Sequence, residues 1–325
     1  MKRTDAGKIN SEINQSADNA LRLLKEGQLS DAQSEFSFIL RTRYNSTIAE
    51  FGLKVTRYWL QRLKDAQSTP EGCDRGVYLF DQWTKFEDFC RMQHRVDDNV
   101  VTAIRYYVFN FALEQFNKDA SSSKRIGPKL LYMAALAYKK IADYRNSMTA
   151  FERLLSFDID NADVLAQLAD VYVLTGRIPA GKVLFREAFK DNPAEIKLEN
   201  IESDLFRQLI DAVRKAEPTV DDRTLLYWIP VYGRIYGILN ISREMTPGDF
   251  MKLKKQITIM EREIGQSSVY DSALTARLLN KYLLLYDIYG TKSGGKEKRE
   301  EIENNIKKIA YNIYILFKKY EQEIG

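Results

Sequence analysis

The sequence predicts an all-α chain built from antiparallel helix pairs, and three observations predict it. Chain breakers are scarce: 16 Gly and 7 Pro among 325 residues, mostly between periodic stretches, which favours long helices over strands and turns. Apolar residues recur at three- and four-residue intervals through most of the chain. An internal period of 34 residues, the length of one helix–turn–helix unit, is readable in its middle.

The elements follow in order. Residues 13–46 form one candidate unit, with Ala20, Leu23, Gly27, Ala32, Phe36 and Ile39 at helical spacing and a stop at 24–28. A helix over 47–64 places Phe51, Val55, Trp59 and Leu63 on one face. Breakers at 67–72 separate it from a helix over 75–92, and another helix spans 96–118 before the segment 119–123.

The tandem copies come next. From Pro128 the chain carries Leu131, Ala135, Tyr138, Ala142, Ser147, Phe151, Leu154 and Asp158. Shifted by 34 residues it carries Leu165, Ala169, Tyr172, Gly176, Gly181, Phe185, Ala188 and Asn192, with the second copy closing on Pro193. Each residue type has a physical reason. Ala135 and Ala169 stand where two helices cross most closely, so a small side chain is required. Ser147 and Gly181 are the small residues of the second helix. Tyr138 and Tyr172 fill the groove toward it. Gly176 stops the first helix in a left-handed conformation, and Ala142 takes that position in the earlier copy.

These spaced large, small and aromatic positions resemble the tetratricopeptide repeat family, clearly over 128–195 and 13–46 and only in architecture elsewhere. The resemblance implies a right-handed α-solenoid of antiparallel helix pairs. It divides the chain into repeats at 1–127, two tandem repeats at 128–195, irregular helical repeats at 196–290, and a hinge with a capping helix at 291–325.

After Pro193 the expected helices are 195–215, an aromatic one over 221–242 with Tyr227, Trp228, Tyr232 and Tyr236, then 247–264 and 268–289. Thr246–Pro247 is a start signal, an N-cap hydroxyl followed by proline at the first helical position. A break at 291–296 precedes a last helix over 297–323, with Ile302, Ile306, Ile309, Ile313, Leu316 and Tyr320 at helical spacing. That helix reads as an atypical cap over the final core edge, or as a docking or homo-oligomerising element.

Composition bounds the function. The net charge of +4 arises from 49 basic and 45 acidic residues that are interspersed, which is not the footprint of a nucleic-acid binder. The only cysteines, Cys73 and Cys90, are too few for a disulfide framework and lack zinc-site spacing. Lys2 and Arg3 precede a polar run with no apolar signal-peptide core, so a reducing, cytoplasmic setting is expected. No apolar run approaches the ~20 residues of a membrane span; the richest, 282–289, contains Asp287.

No catalytic, metal or cofactor signature is present. His94 is the single histidine, four residues after Cys90, a spacing that shares one helix face without an orienting third group. The stretch Lys292 to Lys296 lacks phosphate-loop spacing and has no preceding strand. The many tyrosines follow helical periodicity and read as packing, with hydroxyls reaching water or backbone, rather than as a base-stacking surface.

By the resemblance, the first helix of each unit lines a concave groove. Its groove positions include Lys129, Tyr132, Met133, Leu136, Lys139 and Lys140 in one tandem copy. In the next they are Asp163, Ala166, Gln167, Asp170 and Val173, and in the first copy Asn14, Asp18, Leu21 and Lys25. No asparagine pair suited to gripping a peptide carboxyl terminus occurs there. The expected function is a non-enzymatic scaffold or adaptor that holds a protein partner, an amphipathic or acidic segment, in the groove. The alternatives are a structural subunit of a bacterial envelope or flagellar motility assembly, and an RNA-binding helical repeat.

Overall fold

The computed structural model describes residues 2–122, 127–190, 193–240, 245–290 and 295–324. Within them all regular structure is helical, with fifteen α-helices, two short 3₁₀ turns and no strand. The break expected at 291–296 falls mainly on 291–294, outside the described residues, as do Ser123 and Asn192. The chain forms two compact units, Met1–Ala150 and Phe151–Gly325.

The first unit holds α1 (Lys2–Lys25), α2 (Leu29–Thr42), α3 (Thr47–Gln67), α4 (Cys73–Arg91), α5 (Asp98–Ser122) and α6 (Pro128–Lys140). The boundary between units falls within α7 (Tyr144–Leu155). α1 and α2 run antiparallel, with Asn19 donating to Glu35 at 2.6 Å. The core is aromatic: Trp59, Trp83, Phe86 and Phe109 are buried, and Trp59 and Trp83 stack at 6.0 Å between centroids. α5 packs on α3, α4 and α6 and also returns to α1. That return departs from a stack in which each repeat touches only its neighbours.

The second unit holds α8 (Ala162–Leu174), α9 (Ile178–Ala188), α10 (Asp204–Ala216), α11 (Asp222–Ile235), α12 (Pro247–Gln266), α13 (Ser272–Gly290), α14 (Lys296–Ile309) and α15 (Tyr311–Ile324). α13 is its axis. It packs against α11, α12 and α14, and Leu278, Leu279, Tyr282, Leu283 and Tyr286 are all buried, as expected of a helix covered on several sides.

Short polar side chains start these helices. Asn161 Oδ1 accepts from Val164 N at 3.0 Å, Asp221 Oδ1 from Thr224 N at 2.6 Å, and Thr246 Oγ1 from Asp249 N at 3.2 Å. Each satisfies an N–H that the helix cannot.

The stops carry the 34-residue register. Gly27, Ala142 and Gly176 are all left-handed, at φ of +76°, +61° and +79°. Behind them Gln28 N donates to Leu23 O at 2.9 Å, Asp143 N to Tyr138 O at 2.9 Å, and Arg177 N to Tyr172 O at 2.8 Å. The same six-residue closure thus ends α1, α6 and α8. The crossings keep the register as well. Ala135 and Ala169 are fully buried; Ser147 Oγ donates to Ala135 O at 2.9 Å, and a Cβ on Gly181 would lie 2.8 Å from Ala169 O.

Three expected elements differ. Residues 195–203 are not helical but form 3₁₀ turns at Pro193–Glu195 and Leu198–Asn200, and α10 begins only at Asp204. Their backbone amides are held by side chains of α8, which compete with helix formation. The aromatic helix ends at Ile235, where Gly237 turns left-handed at +71°. The single helix over 297–323 is a hairpin: Ala310 takes φ −147° and ψ 85°, and Lys318 of α15 reaches back to Glu303 of α14 at 3.0 Å. A straight helix of that length would extend about 40 Å and leave one end off the core. Folded back, Ile302, Ile306, Ile313 and Phe317 all reach it.

Tyr232, Tyr282 and Tyr286 are buried packing residues, with one difference from expectation, whereas Tyr44, Tyr106, Tyr270 and Tyr311 are exposed. Among the buried ones, Tyr232 donates to Glu217 at 2.7 Å, Tyr286 to Glu303 at 3.1 Å, and Tyr282 to Glu261. The partners are carboxylates rather than water or backbone. Burial first, then the adjacent carboxylate, drives the Tyr232 and Tyr282 phenols far above their usual range. Burial pushes Tyr286 up to about 12.

Candidate functional site

The groove positions fall into three environments. On α1, Asn14, Asp18 and Lys25 are exposed and Leu21 is half-buried. On α6, Lys129 is exposed and Tyr132 and Met133 are half-buried, whereas Leu136, Lys139 and Lys140 are buried at 3%, 1% and 9% exposure. On α8, Asp163, Ala166, Gln167 and Asp170 are all buried.

Seven residues expected in an open groove are therefore closed off: Leu136, Lys139 and Lys140 on α6, and Asp163, Ala166, Gln167 and Asp170 on α8. On α6 the reason is the register of its packed stripe. Leu130, Met133, Ala134, Ala137 and Ile141 face the core of the first unit, a three-and-four spacing that brings the neighbouring side of the last turn under cover. Lys140 lies 3.9 Å from Glu87 of α4. Both lysines sit in the final turn, where a cation complements the helix dipole and an aliphatic stem packs well.

On α8 the reason is a segment of the chain itself. Residues 193–203 run across the helix as a strap, anchored by Ile196 and Ile201 in the core. Asp170 accepts from the backbone of Glu202 at 2.8 Å and of Ser203 at 2.9 Å. Gln167 Nε2 donates to Lys197 O at 3.2 Å, and Asp163 Oδ1 accepts from Lys197 N at 3.0 Å. Positions 163, 167 and 170 share one helix face. That face grips main-chain groups between and after the two 3₁₀ turns of an irregular segment, satisfying donors and acceptors that no regular helix or sheet would. The occupant of that face, residues 193–203 of the same chain, was not expected from the sequence. A signal was available in Ser203–Asp204, a helix-start pair inside the stretch read as continuous helix.

His94 and the two cysteines do not come together as one group. α4 ends at Arg91, so His94 lies in the bend beyond it, exposed, and does not share a helix face with Cys90. Burial, helped by Glu87, pushes the Cys90 thiol up to about 11, which leaves it protonated and poorly nucleophilic at neutral pH. Both cysteines are free. No group of three His, Cys, Asp or Glu among the described residues is placed to hold a metal ion. No described helix is long and apolar enough to cross a membrane.

The chain matches no protein-family model, and no curated protein matches its sequence at significance.

Proposed function

We propose that the chain is a tetratricopeptide-like scaffold that binds a protein partner through the first helices of its repeats. The observation that carries the reading is the strap on α8. A first-helix face at the repeat's groove positions holds an irregular stretch of polypeptide by its backbone, which is the recognition expected of such a groove. The recurrence of the left-handed stop at Gly27, Ala142 and Gly176 supports a common unit for α1, α6 and α8.

The strap also redirects the assignment. The α8 face is filled by the chain itself, so a partner would meet α1 and α6, both of which pack on α5. The accessible positions there are Asn14, Asp18 and Lys25 on α1, and Lys129 with half-buried Tyr132 and Met133 on α6. Lys129 and Tyr132 suit an acidic residue beside an apolar one.

The test is site-specific cross-linking in the native cell, with a photoreactive residue at Lys129 and a control at exposed Lys215. One discrete adduct from position 129, competed away by unlabelled protein and not by its Lys129→Glu variant, is expected. Equal adducts from both positions, or none from 129, would remove α6 from the proposal.

A further inference from the structure

Residues 304–320 carry four lysines and three tyrosines but no acidic residue and no arginine, in a chain whose charges are otherwise interspersed. The segment forms the last turns of α14, the break at Ala310 and most of α15. Its inward side is core: Ile306, Ile313 and Phe317 are buried. Its outward side is not covered. Tyr311 is 60% and Ile315 49% exposed, and Lys307, Lys308, Asn312, Lys319 and Gln322 are exposed beside them. Positions 311, 315, 319 and 322 recur at helical spacing, so they form one stripe along α15.

The protein does not neutralise this stripe. The carboxylates that reach the hairpin are already engaged. Glu303 accepts from Lys318 and from the Tyr286 hydroxyl, and Glu321 pairs with Arg234 and Arg299. Lys307, Lys308 and Lys319 meet no carboxylate among the described residues. Lys307 instead stands 5.7 Å from the centre of the Tyr314 ring, and Lys319 5.9 Å from that of Tyr320. An aromatic and an aliphatic tip thus project from one helix face among uncompensated cations.

We propose that this stripe docks the chain on an anionic lipid surface, Tyr311 and Ile315 entering the headgroup region and Lys307, Lys308 and Lys319 meeting lipid phosphates. Charge complementarity selects an anionic partner, and the residue types select a lipid one. Every cation here is a lysine, a hydrated point charge on a flexible stem. That suits diffuse attraction to a fluid charged surface, whereas fixed two-pronged pairing with a protein carboxylate favours arginine. Tyrosine beside an aliphatic side chain suits a boundary that is apolar on one side and wet on the other. Lysine stems can follow the apolar tips while their ammonium groups stay in water. A second copy of the chain is a poorer occupant, because a two-fold contact through the stripe would set the same lysines against each other. The inference stands apart from the protein-binding reading.

The experiment is co-sedimentation of the full chain with vesicles of phosphatidylcholine alone and of equimolar phosphatidylcholine and phosphatidylglycerol. Binding to the anionic vesicles only is expected, and it should fade as salt is raised. Lys307→Gln combined with Lys308→Gln should weaken it about 25-fold, at about fivefold for each lysine near the surface. Ile315→Ser should weaken it about threefold. All three positions are exposed, so the far-ultraviolet circular dichroism should be unchanged. Lys215→Gln, at an exposed position of α10, is the control and should bind as the parent chain does. No binding to anionic vesicles, or undiminished binding by the double lysine variant, would overturn the proposal. Undiminished binding by both Ile315→Ser and Tyr311→Ser would overturn the entry of the apolar tips. Tighter, lysine-dependent binding of soluble polyglutamate or polyuridylate would overturn the lipid assignment in favour of an acidic protein or an RNA.

Discussion

The Ser147 hydroxyl donates to the carbonyl of Ala135 across the crossing of α6 and α7, at 2.9 Å. Thirty-four residues on, at the matching pair, Gly181 meets Ala169 with no side chain between. A Cβ on Gly181 would fall 2.6 Å from Val173 Cγ2 and 2.8 Å from the Ala169 carbonyl, and the second neighbour is backbone that cannot swing away. Gly181→Ala is therefore expected to destabilise the chain, since overpacking of about 1–3 kcal/mol exceeds the ~1 kcal/mol that alanine gains over glycine in a helix. Ser147→Ala removes one hydrogen bond, worth about 1 kcal/mol. Urea midpoints of the two variants check both; a stabilised Gly181→Ala would contradict the close crossing.

Ala142 and Gly176 hold the same left-handed position, one with a Cβ and one without. Ala142 is exposed, and nothing lies within 4 Å of a Cβ built on Gly176, so the backbone alone decides. The left-handed conformation costs an L-residue about 1–2 kcal/mol. Glycine's greater freedom in the unfolded chain offsets part of this, about 0.4–1 kcal/mol. Ala142→Gly should raise stability by roughly 0.5–1 kcal/mol and Gly176→Ala should lower it by a similar amount. Opposite signs in thermal denaturation are the result to look for.

Asp170 is fully buried and accepts two backbone N–H groups of the strap. Asp170→Ala would strand both donors, at about 1–3 kcal/mol each, and release the start of α10. Amide hydrogen exchange at Glu202 and Ser203 should accelerate by at least tenfold, with the amides of α1 and α2 unchanged. Protection that survives would mean that Ile196 and Ile201 hold the strap without the carboxylate.

Cys90 should be slow to alkylate. Its thiol is raised from an ordinary 9.0 to about 11; because the thiolate is the reactive form, folding lowers that population at pH 8 roughly a hundredfold. Iodoacetamide labelling followed by mass spectrometry should give a Cys90 rate about two orders of magnitude higher in urea than in the native protein. The native rate should climb as pH rises toward 11.

The 34-residue register was legible because it is written in residues whose roles are local. Gly27, Ala142 and Gly176 close helices through bonds spanning six residues, and Asn161, Asp221 and Thr246 open them through bonds spanning three. Such contacts are set by neighbours in sequence. The stripe Phe51, Val55 and Trp59 was legible for the same reason, since periodicity states which face is buried. The break at Ala310 had no such signal, because no glycine or proline marks it and α15 must fold back to cover a core that only exists once α11 and α13 have met.

Access at the groove positions was equally invisible. Lys139 and Lys140 carry the chemistry of surface residues, but α6 is rotated by the packing of Leu130, Met133 and Ala137. Asp170 and Gln167 carry the chemistry of a binding face, and the chain fills that face with its own residues 193–203. Sequence by itself determined the helical class, the Thr246 cap, the stops at Gly27, Ala142 and Gly176, and the small residues at two crossings, because each depends on residues no more than about one helix–turn–helix unit apart. Tertiary structure decided which faces meet solvent, since burial is a property of surfaces brought together from distant parts of the chain.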